Sequence, residues 1–192
     1  NYDKQKVEAM VNLPINDDLA LRLNLIDNQR DGYRDNLFNG DKLADENSSG
    51  ARASLLWQAS SDTQVLIQLD HSDVDQNAAI DSSLIYGDPY GDTSLDVTPK
   101  ESLELWGGAV TIETDMGDIG FTSISALKRF ESRNLRDQDG SDFFTSTGGL
   151  VPLYFTSENV EENVFFSQEF RLSSQNSDDL RWTVGAMYSR EH

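Results

Sequence analysis

Residues 137–142 have the side-chain types that bind a hard cation. Three carboxylates, a serine and a glycine occur within this run, and Ca²⁺ takes about six to eight oxygen ligands, which such side chains supply in part. The spacing is not that of an EF-hand, and no glutamate follows at the required position. Because Asp, Gly and Ser are also ordinary turn residues, we interpret the run as a solvated acidic turn and predict no metal site.

Aromatic and charged side chains occur together in three polar segments, and together they form a candidate ligand-binding set. Rings bury area against a ligand, and neighbouring charges orient it. The alternative is that these rings pack their own loops or join an aromatic girdle at a membrane surface. The candidates are Arg30, Tyr33 and Arg34 in the first segment, Tyr86 and Tyr90 in the second, and Phe143 and Phe144 in the third.

Covalent catalysis finds little support in the composition. The chain has no cysteine, which excludes disulfides, thiolate nucleophiles and cysteine metal sites. Only His71 and His192 are available to a multi-histidine metal centre. No nucleophile elbow accompanies His71, and among 34 acidic residues no catalytic pair can be singled out. We predict that the chain is not an enzyme and has no cofactor.

The charge balance excludes another class of function. The chain of 192 residues has 15 Lys and Arg against 34 Asp and Glu, a net charge of −19. Phosphate recognition needs clustered basic residues, so we predict no nucleic-acid partner. No run of 18 apolar residues occurs, so the sequence predicts no transmembrane helix.

Apolar residues recur at every second position, which is typical of strands with one apolar face. The clearest example is the leucine alternation at 19–25, and no amphipathic helix is evident. Two adjacent glycines, Gly107 and Gly108, coincide with a switch of the apolar face and predict a β-bulge. The eight predicted strands are 6–13, 19–25, 51–59, 65–71, 103–114, 119–130, 164–172 and 182–188.

The connections between these strands alternate in length. Short turns are predicted at 14–18, 60–62, 115–118 and 173–179, and long polar segments at 27–50, 72–102 and 131–163. Outer-membrane barrels combine short periplasmic turns with long extracellular loops and with strands that alternate apolar-out and polar-in. A soluble β-sandwich with long loops also has alternating strands, so both architectures stay open on this evidence.

Several runs resemble the barrel of TonB-dependent outer-membrane receptors. VNLPI at 11–15, DDLALR at 17–22 and RDGYRDN at 30–36 are similar to the family's N-x-P-x-x-D turn, L-A-L-R strand and R-D-G-Y-x-x-N loop start. RASLLW at 52–57, GFTSISA at 120–126, FSQEFRL at 166–172 and LRWTVG at 180–185 follow in the family's order. Each motif is weak alone, but the ordered set covers nearly the whole chain.

The resemblance implies an all-β fold of antiparallel up-and-down hairpins, about eight strands, forming part of a transmembrane β-barrel. Such a barrel has about 22 strands around a plug, so residues 1–192 are expected to be an internal segment without plug or coupling box. The segments at 27–50, 72–102 and 131–163 become extracellular loops.

The resemblance also implies a function and a set of partners. The receptor would sit in the outer membrane of a Gram-negative bacterium and take up a scarce ligand, most often a ferric siderophore, with cobalamin or an oligosaccharide as other choices. Its partners would be outer-membrane lipid, the plug domain and remaining strands of the same receptor, and the TonB coupling protein acting through the plug. The alternative is a soluble secreted all-β binding module, such as a carbohydrate-binding sandwich.

Overall fold

The computed structural model describes residues 2–78, 91–142, 148–150, 155–175 and 180–192, and within them the chain is all-β. We find no helix in these ranges with the length and apolar character needed to cross a membrane. The strands are β1 (Gln5–Asn16), β2 (Leu19–Arg30), β3 (Arg34–Asp35), β4 (Lys42–Leu43), β5 (Glu46–Ser60), β6 (Thr63–Asn77), β7 (Lys100–Asp115), β8 (Ile119–Asp137), β9 (Thr156–Ser174) and β10 (Thr183–Glu191).

The eight long strands form one antiparallel sheet in which each strand pairs with its neighbour in the chain. The order is β1-β2-β5-β6-β7-β8-β9-β10, and β3 and β4 pair separately as a small two-stranded sheet. The up-and-down arrangement predicted from the sequence is therefore confirmed. No ladder joins β1 to β10 within the residues that the structure describes, so the sheet has two open edges.

The cross-strand register places most large apolar side chains on one face of this sheet, which we call the apolar band. One row of the band runs through Leu21, Leu55, Ile67 and Val110 on four successive strands. The band comprises Val11, Leu13, Leu21, Leu23, Leu25, Leu55, Trp57, Ile67, Leu69, Trp106, Val110, Leu127, Phe166, Phe170 and Val184. Many of these side chains are open to solvent, with Leu69 61% and Val184 57% exposed.

Three polar side chains interrupt the apolar band and satisfy one another. Ser125 Oγ donates to Gln168 Oε1 at 2.5 Å, and Gln168 Nε2 donates to Ser123 Oγ at 3.1 Å. A polar group that faces an apolar medium needs an internal partner, because no water is available to replace it. Each of these three polar side chains therefore has a hydrogen-bond partner within the sheet.

The opposite face of the sheet is mainly polar, although it also carries Leu56, Leu66, Leu103 and Leu105. Its basic residues are Arg22, Arg52, Lys128 and Arg171, as the alternation predicts. Arg22 Nε donates to Asn12 Oδ1 at 2.6 Å. Arg52 lies 3.8 Å from an Asp70 carboxylate oxygen, and Arg171 pairs with Glu169. A groove of about 640 Å³ runs along this face between β1 and β6.

The strands extend beyond the positions at which the predicted long loops begin. β2 continues to Arg30, β6 to Asn77 and β8 to Asp137, so the three connections span 31–45, 78–99 and 138–155 rather than 27–50, 72–102 and 131–163. The extra strand residues are mostly polar, and the period-two pattern of hydrophobicity ends before the hydrogen-bonded ladder does. We call the three segments the first, second and third connections.

The predicted β-bulge at Gly107 and Gly108 is wrong. Both glycines pair without interruption, with Asp70 and Leu69 on β6 and with Lys128 and Leu127 on β8. The apolar pattern changes because β7 leaves the apolar band at Trp106, and Leu103 and Leu105 lie on the other face. Gly107 instead provides room for a neighbour, since a Cβ there would lie 2.5 Å from Asp70 Oδ2.

Replacing Gly107 with alanine is expected to destabilise the sheet by less than about 1 kcal/mol, because the close atoms belong to the end of the Asp70 side chain, which can rotate away at the expense of a partly exposed ion pair with Arg52. The new methyl group would displace the Asp70 carboxylate and separate it further from Arg52. Gly108→Ala is the matched control, because its Cβ would lie an ordinary 3.4 Å from Leu69 Cδ2. Urea unfolding of the full-length protein in detergent measures both variants, and equal losses for the two would contradict the close-approach explanation.

The most buried side chains of the described residues lie outside the long sheet, in the connections. Leu43 is 1% exposed and Leu95 is 0% exposed, and Ala44, Ala78 and Pro99 are also buried. The first connection supplies Leu43 and Ala44, and the second supplies Ala78, Leu95 and Pro99. A small core of their own therefore orders these two loops at one end of the sheet.

Candidate functional site in the loop cluster

The first and second connections pack together, and we call the pair the loop cluster. Asn36 is the main link between them. It is fully buried; its Nδ2 donates to the Leu95 carbonyl at 3.0 Å, and its Oδ1 accepts from the Leu95 N–H at 2.8 Å. Next to it, the Leu37 N–H donates to the Thr93 carbonyl, and the Thr93 N–H donates to the Asp35 carbonyl. One amide side chain thus substitutes for a strand partner and joins the two loops edge to edge.

The β3–β4 hairpin sets the position of Asn36 and packs tightly against the start of the loop. A Cβ at Gly32 would lie 2.5 Å from the Leu43 carbonyl oxygen, so only glycine permits this approach of two backbones. Arg34 is buried, and its Nε donates to the Gly91 carbonyl at 2.8 Å. Arg34 was predicted to bind the ligand, but its observed contact holds the second connection in place.

Arg30 and Tyr33 form a cation–aromatic cluster at the end of β2. The Arg30 guanidinium lies 5.1 Å from the centre of the Tyr33 ring, and Tyr2 contacts that ring from another side at 5.6 Å between ring centres. Arg30 Nη2 also donates to the Ala44 carbonyl at 2.9 Å. Tyr33 is 45% exposed, so the cluster presents an aromatic surface backed by a fixed positive charge.

Glu46, the first residue of β5, holds the Arg30 side chain of this cluster in place. Its carboxylate accepts from Lys4 Nζ at 2.7 Å and from Asn28 Nδ2 at 3.2 Å, and it lies 3.0 Å from Arg30 Nε. The bond from Lys4, followed by the bond from Asn28, lowers the pKa of Glu46 to about 2. Glu46 therefore stays ionised and keeps the Arg30 side chain directed towards Tyr33.

The Glu46 contacts predict an acid dependence. A folded-state pKa below the unfolded value of 4.5 gives stabilisation that is present above 4.5 and is lost as the pH falls towards about 2. Wild type should be more stable than Glu46→Gln at neutral pH, and the difference should shrink across this window in urea unfolding. Glu8→Gln is the control, because the exposed Glu8–Lys6 pair contributes little. A constant difference at all pH values would contradict the prediction.

The other predicted ligand-binding residues cannot be placed in this cluster by the structure. Tyr86, Tyr90, Phe143 and Phe144 lie outside the described residues, so the contribution of all four stays a prediction. The structure brings Arg30 and Tyr33 together in one cluster, whereas Arg34 contacts the backbone of the second connection. The sequence analysis assigned no role to Asn36, Leu43 or Leu95. The sequence feature that could have pointed to the Asn36 contact is its position next to the apolar residues Leu37 and Phe38.

The acidic run at 137–142 is folded on itself. Asp137 Oδ1 accepts the backbone N–H groups of Asp139 and Gly140, and Asp139 Oδ1 accepts the N–H and the hydroxyl of Ser141. These carboxylates act as turn formers, as predicted, but the prediction that the turn is solvated is wrong, because Asp137, Ser141 and Asp142 are buried. Across the ranges that the structure describes, no group of three or more His, Asp or Glu side chains is arranged to hold a metal ion.

Comparison with known proteins gives a likeness in fold. No protein-family model matches the chain, and no curated protein matches it. Among solved structures, the ferric-catecholate import receptor Fiu from E. coli K12 is similar over 98% of this chain and 32% of its own, with a TM-score of 0.68 and 13% identity. The outer membrane transporter YddB from Escherichia coli is similar over 98% and 27%, with a TM-score of 0.56 and 10% identity. The chain thus has the all-β fold of part of such transporters and spans about a third of their length.

Proposed function

We propose that the chain is a part of the barrel wall of a TonB-dependent outer-membrane receptor in a Gram-negative bacterium. The receptor takes up a scarce ligand, and a ferric siderophore is the ligand we favour. The chain itself performs no covalent chemistry. It contributes eight strands to the wall and three loops to the extracellular mouth, and its other partners are lipid, the plug domain, the remaining strands and, through the plug, the TonB protein.

The observation that carries this proposal is the apolar band that runs across all eight strands, with a polar, ion-paired face behind it. A soluble sandwich would bury such a face under a second sheet. In the described part of the chain, Leu25, Leu69, Leu127 and Phe170 have no such cover, and each is at least 47% exposed. A wall that meets hydrocarbon on one side and a hydrated lumen on the other accounts for both faces.

The choice of ligand rests on the loop cluster. Arg30 and Lys4 carry two positive charges against the one negative charge of Glu46. The exposed Tyr33 ring beside them is therefore suited to an aromatic, negatively charged ligand, because the ring stacks and the remaining positive charge offsets the ligand charge. A ferric catecholate has both properties, and Fiu, one of the similar structures, is named as an import receptor for such ligands. Tyr86, Tyr90, Phe143 and Phe144 are the further candidate contacts.

Two experiments with the full-length protein test the proposal in order. Detergent-phase partitioning comes first, and complete aqueous solubility without detergent would contradict the barrel. Uptake of radiolabelled iron from ferric catecholates by cells that depend on this protein comes second. We expect uptake in wild type and a tenfold or greater loss of affinity, roughly 1.4 kcal/mol, in Tyr33→Ala. Tyr188→Phe, a change in the sheet, is the control. Uptake of cobalamin or an oligosaccharide instead would overturn the siderophore assignment alone.

A further inference from the structure

Two buried carboxyl oxygens without a donor occur where the second connection meets the end of β8. Asp137, the last residue of β8, is 9% exposed, and its Oδ2 has no hydrogen-bond donor. Asp96, on the second connection, has a buried Oδ1 that also lacks a donor. The two side chains lie in hydrogen-bond contact with each other. Two ionised carboxylates in this position would repel each other and leave both oxygens unsatisfied.

The charged groups around this pair do not neutralise it. Among the described residues, the charged side chains with a leading effect on the pair are Asp139 and Asp142, and both are acidic. Arg136, the neighbour of Asp137 in β8, is exposed, since successive strand residues point to opposite faces. The backbone N–H groups of Gly140 and Val97 contact the Asp137 carboxyl, but they do not supply a donor between the two side chains.

We infer that Asp137 carries a proton that its Oδ2 donates to Asp96 Oδ1, and that this shared proton holds the second connection against the end of β8. One proton satisfies both orphaned oxygens and removes one of the two facing charges. The neighbouring contacts support the docked arrangement, because Ser94 Oγ donates to an Asp142 carboxylate oxygen close by. Burial, more than any other cause, raises the pKa of Asp137 to about 6, and that of Asp96 is also raised.

The docked loop is expected to be most stable at low pH. A carboxyl whose folded-state pKa lies above its unfolded value of 3.8 stabilises the docked loop fully below 3.8, and the stabilisation is lost as the pH rises through about 6. Each pKa unit corresponds to a tenfold change in equilibrium constant, so we expect docking to weaken by up to roughly a hundredfold. The inference concerns loop docking and does not depend on which ligand is transported.

Amide hydrogen exchange of the full-length protein in detergent micelles tests the inference. After correction for the intrinsic pH dependence of exchange, protection of residues 91–99 should fall as the pH rises through about 6. Asp137→Asn keeps an acceptor for the turn and a permanent N–H donor towards Asp96, so this variant should stay protected at every pH. Asp75→Asn, which changes an exposed carboxylate on β6, should behave as wild type.

A second measurement covers the case in which Asp137→Asn does not fold. Infrared difference spectra of the wild-type protein should contain a protonated-carboxyl C=O band that disappears near the same pH. Protection that does not change with pH, or an Asp137→Asn variant with the wild-type transition, would overturn the shared proton. Restoration of protection by millimolar Ca²⁺ above the transition would also overturn it, since a cation would then be satisfying the two oxygens.

Discussion

Replacing Leu69 with arginine is expected to destabilise the full-length protein in a bilayer by about 2–4 kcal/mol, the cost of a basic side chain on the lipid face near the membrane midplane. Leu69 lies in the apolar band on β6, paired with Ala53 and Gly108, and is 61% exposed. No described carboxylate on that face of the neighbouring strands is positioned to pair with a cation there. Urea unfolding in liposomes, followed by gel mobility, measures the loss.

Gln68→Arg is the matched control for this substitution. Gln68 precedes Leu69 on the same strand and lies on the opposite face, in the groove that also contains Arg22, Arg52 and Asp70. A third cation there has water and a carboxylate within reach, so we expect a change of less than about 1 kcal/mol. If both arginines cost the same, the apolar band does not face lipid, and the membrane assignment loses its main support.

Asn36→Ala is expected to undock the first and second connections from each other. The substitution leaves the buried N–H and carbonyl of Leu95 without partners, at roughly 1–3 kcal/mol for each unsatisfied group. Because the band and the ladder of the sheet do not involve Asn36, the loss should be local. Amide exchange and limited proteolysis of residues 91–99 should increase, while global urea unfolding changes much less.

Asn36→Asp tests the hydrogen bond that Asn36 donates separately from the one that it accepts. A carboxylate still accepts from the Leu95 N–H but no longer donates to the Leu95 carbonyl, so its effect should be intermediate in size. Asn39→Ala is the exposed comparison. Its amide accepts from the Asp41 N–H and donates to the side chains of Asp41 and Thr98, so we expect a smaller loss of protection than in Asn36→Ala. An Asn36→Ala variant with wild-type protection of 91–99 would show that the buried apolar side chains, rather than the amide, hold the loops together.

The strands were predictable because their signal is local. The leucines of β2 alternate over seven residues, and the same alternation located β6 and β9, although β6 runs six residues beyond its predicted end and β9 begins eight residues before its predicted start. Their shared face followed as well, since side chains in a strand alternate with a period of two. The bulge at Gly107 and Gly108 was predicted wrongly because the switch of face marks the place where β7 leaves the apolar band, while the register of the backbone continues without interruption.

The loop cluster was not predictable in the same way. Asn36 and Leu95 are 59 positions apart, and no periodicity connects them. The sequence identified Arg30, Tyr33 and Arg34 by residue type, but it could not distinguish the exposed ring of Tyr33 from the buried guanidinium of Arg34. That distinction depends on where the second connection lies, and the backbone of Gly91 and Thr93 decides it.

The neighbour-to-neighbour strand order has a kinetic consequence. β1 and β2, β5 and β6, and β7 and β8 are joined by only two or three residues, so closing each of these pairs costs little chain entropy. The pairs β2–β5, β6–β7 and β8–β9 must close longer intervening segments, and they should form later. We therefore expect the strand pairs with short turns to form first as separate hairpins, and the hairpins to join more slowly across the longer connections.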